Sequence, residues 1–133
     1  MNRVLFFTAL LAAFTAVVHI FIGTPEIEAP LLQSALPQEI SLLLYACWHL
    51  VSVCLAMSAV GFFIGARNAN DVSSQHLVKL LSVLWIAFGV VFIVVALAYA
   101  GTPMLVKLSQ WILLLPVGAL GLWGSNKSFQ RTR

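Results

Sequence analysis

Apolar positions along this chain come in long unbroken runs instead of alternating. Four such runs cover residues 4–22, 41–66, 77–100 and 105–124, and each is bounded by short stretches holding most of the Gly, Pro and charged residues. A helix rising about 1.5 Å per residue needs roughly 20 residues to cross a hydrocarbon layer about 30 Å thick, and every run meets that length. Continuous runs without period-2 alternation select helices over barrel strands, because in lipid each backbone N–H and C=O has to be satisfied within its own segment. The pattern therefore predicts an all-α fold, an integral membrane four-helix bundle occupying residues 1–133 as one domain. The first run follows Arg3 and contains Ala12, Ala13 and Ala16, as a signal peptide does. It continues to Ile22, however, without a small-x-small pair at its end, and reads as a retained first helix.

Composition agrees with that solvent. Hydrophobic residues make up 62% of the 133 and charged ones 8%, and the mean hydropathy is +1.03. Too few polar side chains are present to cover a water-soluble globule of this size, so lipid is the expected covering partner. Charge then gives direction. Arg3, Arg67, Lys79, Lys127, Arg131 and Arg133 fall at the amino terminus, around the 67–76 loop and in the tail, whereas the 23–40 and 101–104 loops have only Lys107 nearby. The positive-inside rule puts both termini and the middle loop in the cytoplasm and Glu26, Glu28 and Glu39 outside. The net charge of +3 is accounted for by topology and calls for no nucleic-acid partner. The tail from residue 126 is placed to touch anionic headgroups.

Local signals refine the outline. Gly23-Thr-Pro25 after the first run is echoed by Gly101-Thr-Pro103 after the third. One reading is a duplication of two tandem hairpins; the other is a common helix stop, glycine just past the last turn and proline two residues on. Either way both breaks are expected to end their helices at the outer face. The following segment, with Pro25, Pro30 and Pro37 around Leu31, Leu32 and Leu36, is expected to form a loop at the headgroup boundary, a lid or collar over the bundle mouth. Asp71 and Ser73 are available to cap the third helix, and His76 is expected at the surface. Cys47 and Cys54, seven apart and too distant for a disulfide, read as soft core residues. Gly61 and Gly65, with Gly118, Gly121 and Gly124, allow close backbone approach, and Pro116 is expected to kink the fourth helix.

Candidate chemistry is confined to ionisable groups inside the bilayer, which are costly there and point to function. His19 lies on a stripe with Thr8, Ala12, Thr15 and Ala16, and His49 on a stripe with Ser41, Tyr45, Ser52, Ala56 and Ala59. Both are expected to face the bundle interior, about 9 Å and 6 Å outward of the midplane, so the two histidines form a level pair. Four uses are open for the pair. Neutral imidazoles with Glu26 or Glu28 as an oxygen ligand hold a transition metal; the pair ligates haem b across a helix gap; it relays protons or substrate in a small transporter or pore-forming oligomer; or each imidazole simply bonds a neighbouring hydroxyl or carbonyl. Tyr45, Trp48 and Trp111, in the same outer half, are the candidate substrate contacts. No GxSxG, HExxH, P-loop or dinucleotide pattern is present, and no carboxylate pair lies within an apolar run, so soluble-type hydrolysis is disfavoured.

The segments His19-Ile-Phe-Ile-Gly-Thr-Pro-Glu26, Pro30-Leu-Leu32, Cys47-Trp-His-Leu50 and Gln110-Trp-Ile-Leu-Leu-Leu-Pro-Val-Gly118 resemble those of uncharacterised four-helix bacterial inner-membrane proteins. In size and helix count the chain is similar, more loosely, to DoxX-like proteins. The resemblance implies a multi-pass protein of the bacterial inner membrane and supplies no reaction, cofactor or site. On these grounds the leading expectation is a non-enzymatic accessory or assembly subunit, alone as a homo-oligomer or within a larger membrane complex.

Overall fold

The computed structural model describes residues 1–131, with side chains through residue 126. The tail side chains counted above as cytoplasmic charge and as headgroup contacts, from Lys127 onward, lie outside the described residues. Within the described part all regular structure is helical: α1 (Arg3–Val17), a π-helical turn (Val18–Gly23), α2 (Thr24–Leu32), α3 (Gln38–Arg67), α4 (Val72–Tyr99), the short α5 (Met104–Lys107) and α6 (Trp111–Arg131). α1, the π-turn and α2 run on as one rod, Arg3–Leu32; with α3 and α4 it makes three helices, among the described residues, long and apolar enough to cross a membrane. The shorter apolar stretch Trp111–Asn126 lies in α6. At 30 residues each, the first rod and α3 span about 45 Å, well beyond a hydrocarbon core of about 30 Å.

Three boundaries differ from the sequence reading. Gly23-Thr-Pro25 does not stop the first helix. Pro25 lacks an N–H, and in a regular helix its ring would meet the carbonyl of Phe21. The chain resolves this by widening one turn, with the Thr24 amide bonding the His19 carbonyl, and the helix then continues through Pro30 to Leu32. The lid or collar foreseen after residue 23 is therefore mostly helix, and the connection to α3 shrinks to residues 33–37. Ser34 closes it, its hydroxyl donating to the Leu31 carbonyl at 2.7 Å. The second copy behaves as a true stop: Gly101 adopts φ +75° and Pro103 opens α5. The last apolar run, read as one helix over 105–124, is in turn divided, since α5 ends at Lys107 and α6 begins at Trp111. The third helix begins five residues earlier than its apolar run, at Val72, where Asp71 Oδ2 accepts from the Ser74 amide at 2.7 Å; Asp71 is the cap.

Packing sorts the helices into two close pairs, α1 with α3 and α4 with α6, joined through α1 against α6 and α3 against α4. Small residues set the approach. A Cβ added at Gly118 would lie 2.7 Å from the Ser82 carbonyl, and one at Gly61 would meet Leu81. Gly121 rests on Ser82 and Phe62, Gly124 on Leu5, and Gly89 on Leu115. These glycines are consumed within the chain, and their role as packing positions is intramolecular. Asn2 ties one end together: its side chain accepts from the amides of Val4 and Leu5, its Nδ2 donates to the Gly124 carbonyl at 2.9 Å and its amide to the Ala66 carbonyl at 2.8 Å. Arg3 and Arg67 are thus brought to one end of the bundle. The core cluster holds Leu5, Ala12, Leu55, Phe62, Trp85 and Val117 among others, and it sits toward that end. From Val17 to Ile40 no residue is fully buried, and from Val90 to Gln110 only Ala96 is.

Candidate functional site

The predicted small-residue face of α1 is the buried one: Thr8, Ala12, Thr15 and Ala16 all face inward. For α3 the stripe needs correction. Successive residues turn by about 100°, so stepping from Ser41 to Tyr45 to His49 in fours drifts about 80° off the starting direction, whereas Trp48 lies about 20° from it. The structure follows that arithmetic. Ser41, Ser52, Leu55, Ser58 and Phe62 are buried, Tyr45 and Trp48 are half-buried, and His49 and Ala56 are exposed. Trp48, and not His49, is the residue that α3 presents to His19.

These residues form a clasp between the π-turn and α3. The His19 imidazole stacks on the Trp48 indole with ring centroids 4.0 Å apart and planes at 19°. Its Nε2 lies 3.3 Å from the Trp48 carbonyl, so this nitrogen is the one carrying the proton. Trp48 Nε1 donates to Thr24 Oγ1 at 3.0 Å, and Thr24 Oγ1 donates to the His19 carbonyl at 3.4 Å, which closes a ring of bonds. Gly23 makes room for it, since a Cβ there would stand 2.9 Å from Trp48 Cζ2. Widening the turn displaces backbone carbonyls from their regular partners, and the clasp supplies donors for one of them. One turn outward, the Tyr45 ring meets His49 edge-on, with ring centroids 4.5 Å apart.

The geometry constrains what the clasp does. Among the described residues no group of three or more His, Cys, Asp and Glu side chains is gathered to hold a metal ion, so the foreseen set His19, His49 and Glu26 is not assembled. His19 Nε2, one of the two ring nitrogens able to ligate a metal, is taken by the Trp48 carbonyl. His19 and His49 hold different ring partners, Trp48 and Tyr45. Trp111 lies elsewhere: its Nε1 donates to the Leu105 carbonyl at 3.0 Å, pinning α5 to the first turn of α6.

Other buried polar groups turn inward on their own helices. Thr8, Thr15, Ser52, Ser58 and Ser82 each donate to the carbonyl four residues back, the usual way a hydroxyl is satisfied inside an apolar bundle. Trp85 Nε1 and Gln110 Oε1 are buried without a hydrogen-bond partner among the described residues. Cys47 is exposed and Cys54 half-buried, so the first is not the core residue its apolar setting suggested. The sequence reading passed over Asn2 and Thr24, though Asn2 carried a visible signal, an N-cap residue immediately before an apolar run. Thr24 carried none, because its importance depends on Trp48 arriving beside it. Compared with known proteins, the chain matches no family model, no curated protein and no solved structure.

Proposed function

We propose that this chain is a four-span protein of the bacterial inner membrane, with both termini and the turn at residues 68–71 in the cytoplasm, serving as a non-enzymatic accessory or assembly subunit. The observation that carries the reading is its lateral surface. Only 33%, 17% and 22% of the apolar windows in the first rod, α3 and α4 are buried inside the molecule, while Phe7, Phe14, Phe21, Leu50, Met57, Leu80 and Val91 lie more than half exposed. A belt of that kind is sustained by lipid or by partner helices and not by water. In this reading α6 supplies the fourth crossing: its apolar stretch Trp111–Asn126 covers about 24 Å, which a locally thinned bilayer accommodates.

The non-enzymatic reading is supported by how the polar groups are used: among the described residues Thr8, Thr15, Ser52, Ser58 and Ser82 bond their own backbone, and the clasp bonds itself. The His19 site then has a structural role: it fastens the widened turn of the first rod to α3. Reporter fusions test the topology, with an exported phosphatase expected to be active when fused after residue 35 or 102 and inactive after residue 70. Native-gel sizing of mild-detergent extracts tests the subunit role. A band larger than the monomer is expected; a free monomer at native expression would remove it.

A further inference from the structure

The outer end of α6 carries a feature that the clasp does not use. Trp111, Ile112, Leu115, Pro116 and Ala119 line an open groove of about 550 Å³ whose exposed lining holds no polar atoms. Its upper wall is fixed, because Trp111 is held by its bond to the Leu105 carbonyl. Two residues beyond Leu105, the exposed Lys107 ends α5. Among the described residues it is the one cation at this end, where Glu26, Glu28 and Glu39 all belong to the other helix pair. We infer that this groove is a binding site for one anionic phospholipid, its acyl chain lying along Trp111 to Ala119 and its phosphate at the Lys107 ammonium. The inference rests on the membrane reading above.

Charge and packing together choose this occupant. The three carboxylates repel an anion from the opposite pair, so Lys107 makes this corner the favourable place for a phosphate at the outer surface. A partner helix is disfavoured because the residues of α6 that permit close backbone approach, Gly118, Gly121 and Gly124, already face Ser82, Ile86, Phe62 and Leu5. What α6 turns outward is an indole wall, a proline and branched side chains, a relief that a flexible chain fits better than a second rigid rod.

The experiment is native mass spectrometry of the detergent-solubilised protein after exchange with phosphatidylglycerol or phosphatidylcholine, alongside alkaline extraction of the source membranes. Wild type is expected to retain one phosphatidylglycerol in preference to phosphatidylcholine. Lys107→Gln should lower that preference about fivefold, the scale of one cation at an anionic surface, while Arg67→Gln at the opposite end leaves it unchanged. Ala119→Trp, which fills the groove, should lose both lipids while keeping the wild-type melting temperature. Equal retention of the two lipids, or a preference untouched by Lys107→Gln, overturns the site. If the protein instead leaves the membrane at alkaline pH, it is the membrane reading that falls.

Discussion

At the scale of single residues, the tryptophans of α3 and α4 contrast in what they are given to bond. Trp48 is half-buried yet fully engaged, its N–H on Thr24 and its ring on His19. Trp85 is fully buried, 0% exposed, yet its N–H has no acceptor among the described residues. An unpaired buried donor costs about 1–3 kcal/mol, so removing it offsets part of the packing lost with the smaller ring. Trp85→Phe is therefore expected to change stability by less than about 1 kcal/mol in a detergent unfolding titration. A loss above about 2 kcal/mol would mean that the indole N–H has a partner worth keeping. Asp71 is a second residue with a defined signature. Its carboxylate accepts from the Ser74 amide, which with the Ser74 and Ser73 groups holds its pKa below the ordinary 3.8. A depressed folded pKa stabilises above the unfolded value and loses that contribution as pH falls through the folded one. The cap's contribution is thus flat from neutral pH down to about 4 and lost below it, and Asp71→Ala should flatten the acid limb of the stability profile without altering its neutral shape.

At the scale of elements, the paired Gly-Thr-Pro motifs show one tripeptide in two backbone states. Gly101 turns the chain with a left-handed φ and nothing but Pro103 near its Cβ position. Gly23 stays helical at φ −69° because Trp48 packs on it and Thr24 has two partners in reach. Substitution should separate the two roles. Gly101→Ala meets open space and costs about 1 kcal/mol for the backbone conformation alone. Gly23→Ala gains helix propensity but forces the Trp48 ring to move, a net cost of about 1 kcal/mol. In a Trp48→Ala background the Gly23→Ala penalty should vanish while that of Gly101→Ala persists, a coupling read by double-mutant cycles. Equal penalties in both backgrounds would show that the turn, and not the clasp, dictates glycine at position 23.

At the scale of the whole molecule, order is concentrated at one end. The core cluster, the glycine contacts between pairs and the Asn2 bonds all lie toward the end carrying Arg3 and Arg67, and the opposite half is held chiefly by the clasp and by the Trp111 bond to Leu105. Asn2 is the element common to α1, α3 and α6 there. Asn2→Ala removes a cap and a cross-bundle bond together, and a loss of about 2–3 kcal/mol is expected. Hydrogen exchange should rise at the amides of Val4 and Leu5 first. Protection unchanged at those amides would mean that helix packing, without the cap, holds this end.

The chain by itself determined the class and the broad layout. Long apolar runs, hydroxyls at helical spacing on the first of them and Asp71 ahead of the third were readable because each depends on neighbours a few residues away. The face of α1 was legible for the same reason, and so was the glycine packing in kind, though not its partners. Tertiary structure decided the rest. That Gly23-Thr-Pro25 passes through a π-turn while its copy stops, that Trp48 in place of His49 meets His19, and that the three foreseen ligands are not gathered into one group all depend on contacts between residues far separated in sequence. A turn of about 100° per residue makes a one-position error in a stripe into a different face, and a proline's local preference to end a helix yields when a wider turn and a facing indole satisfy the groups it frees.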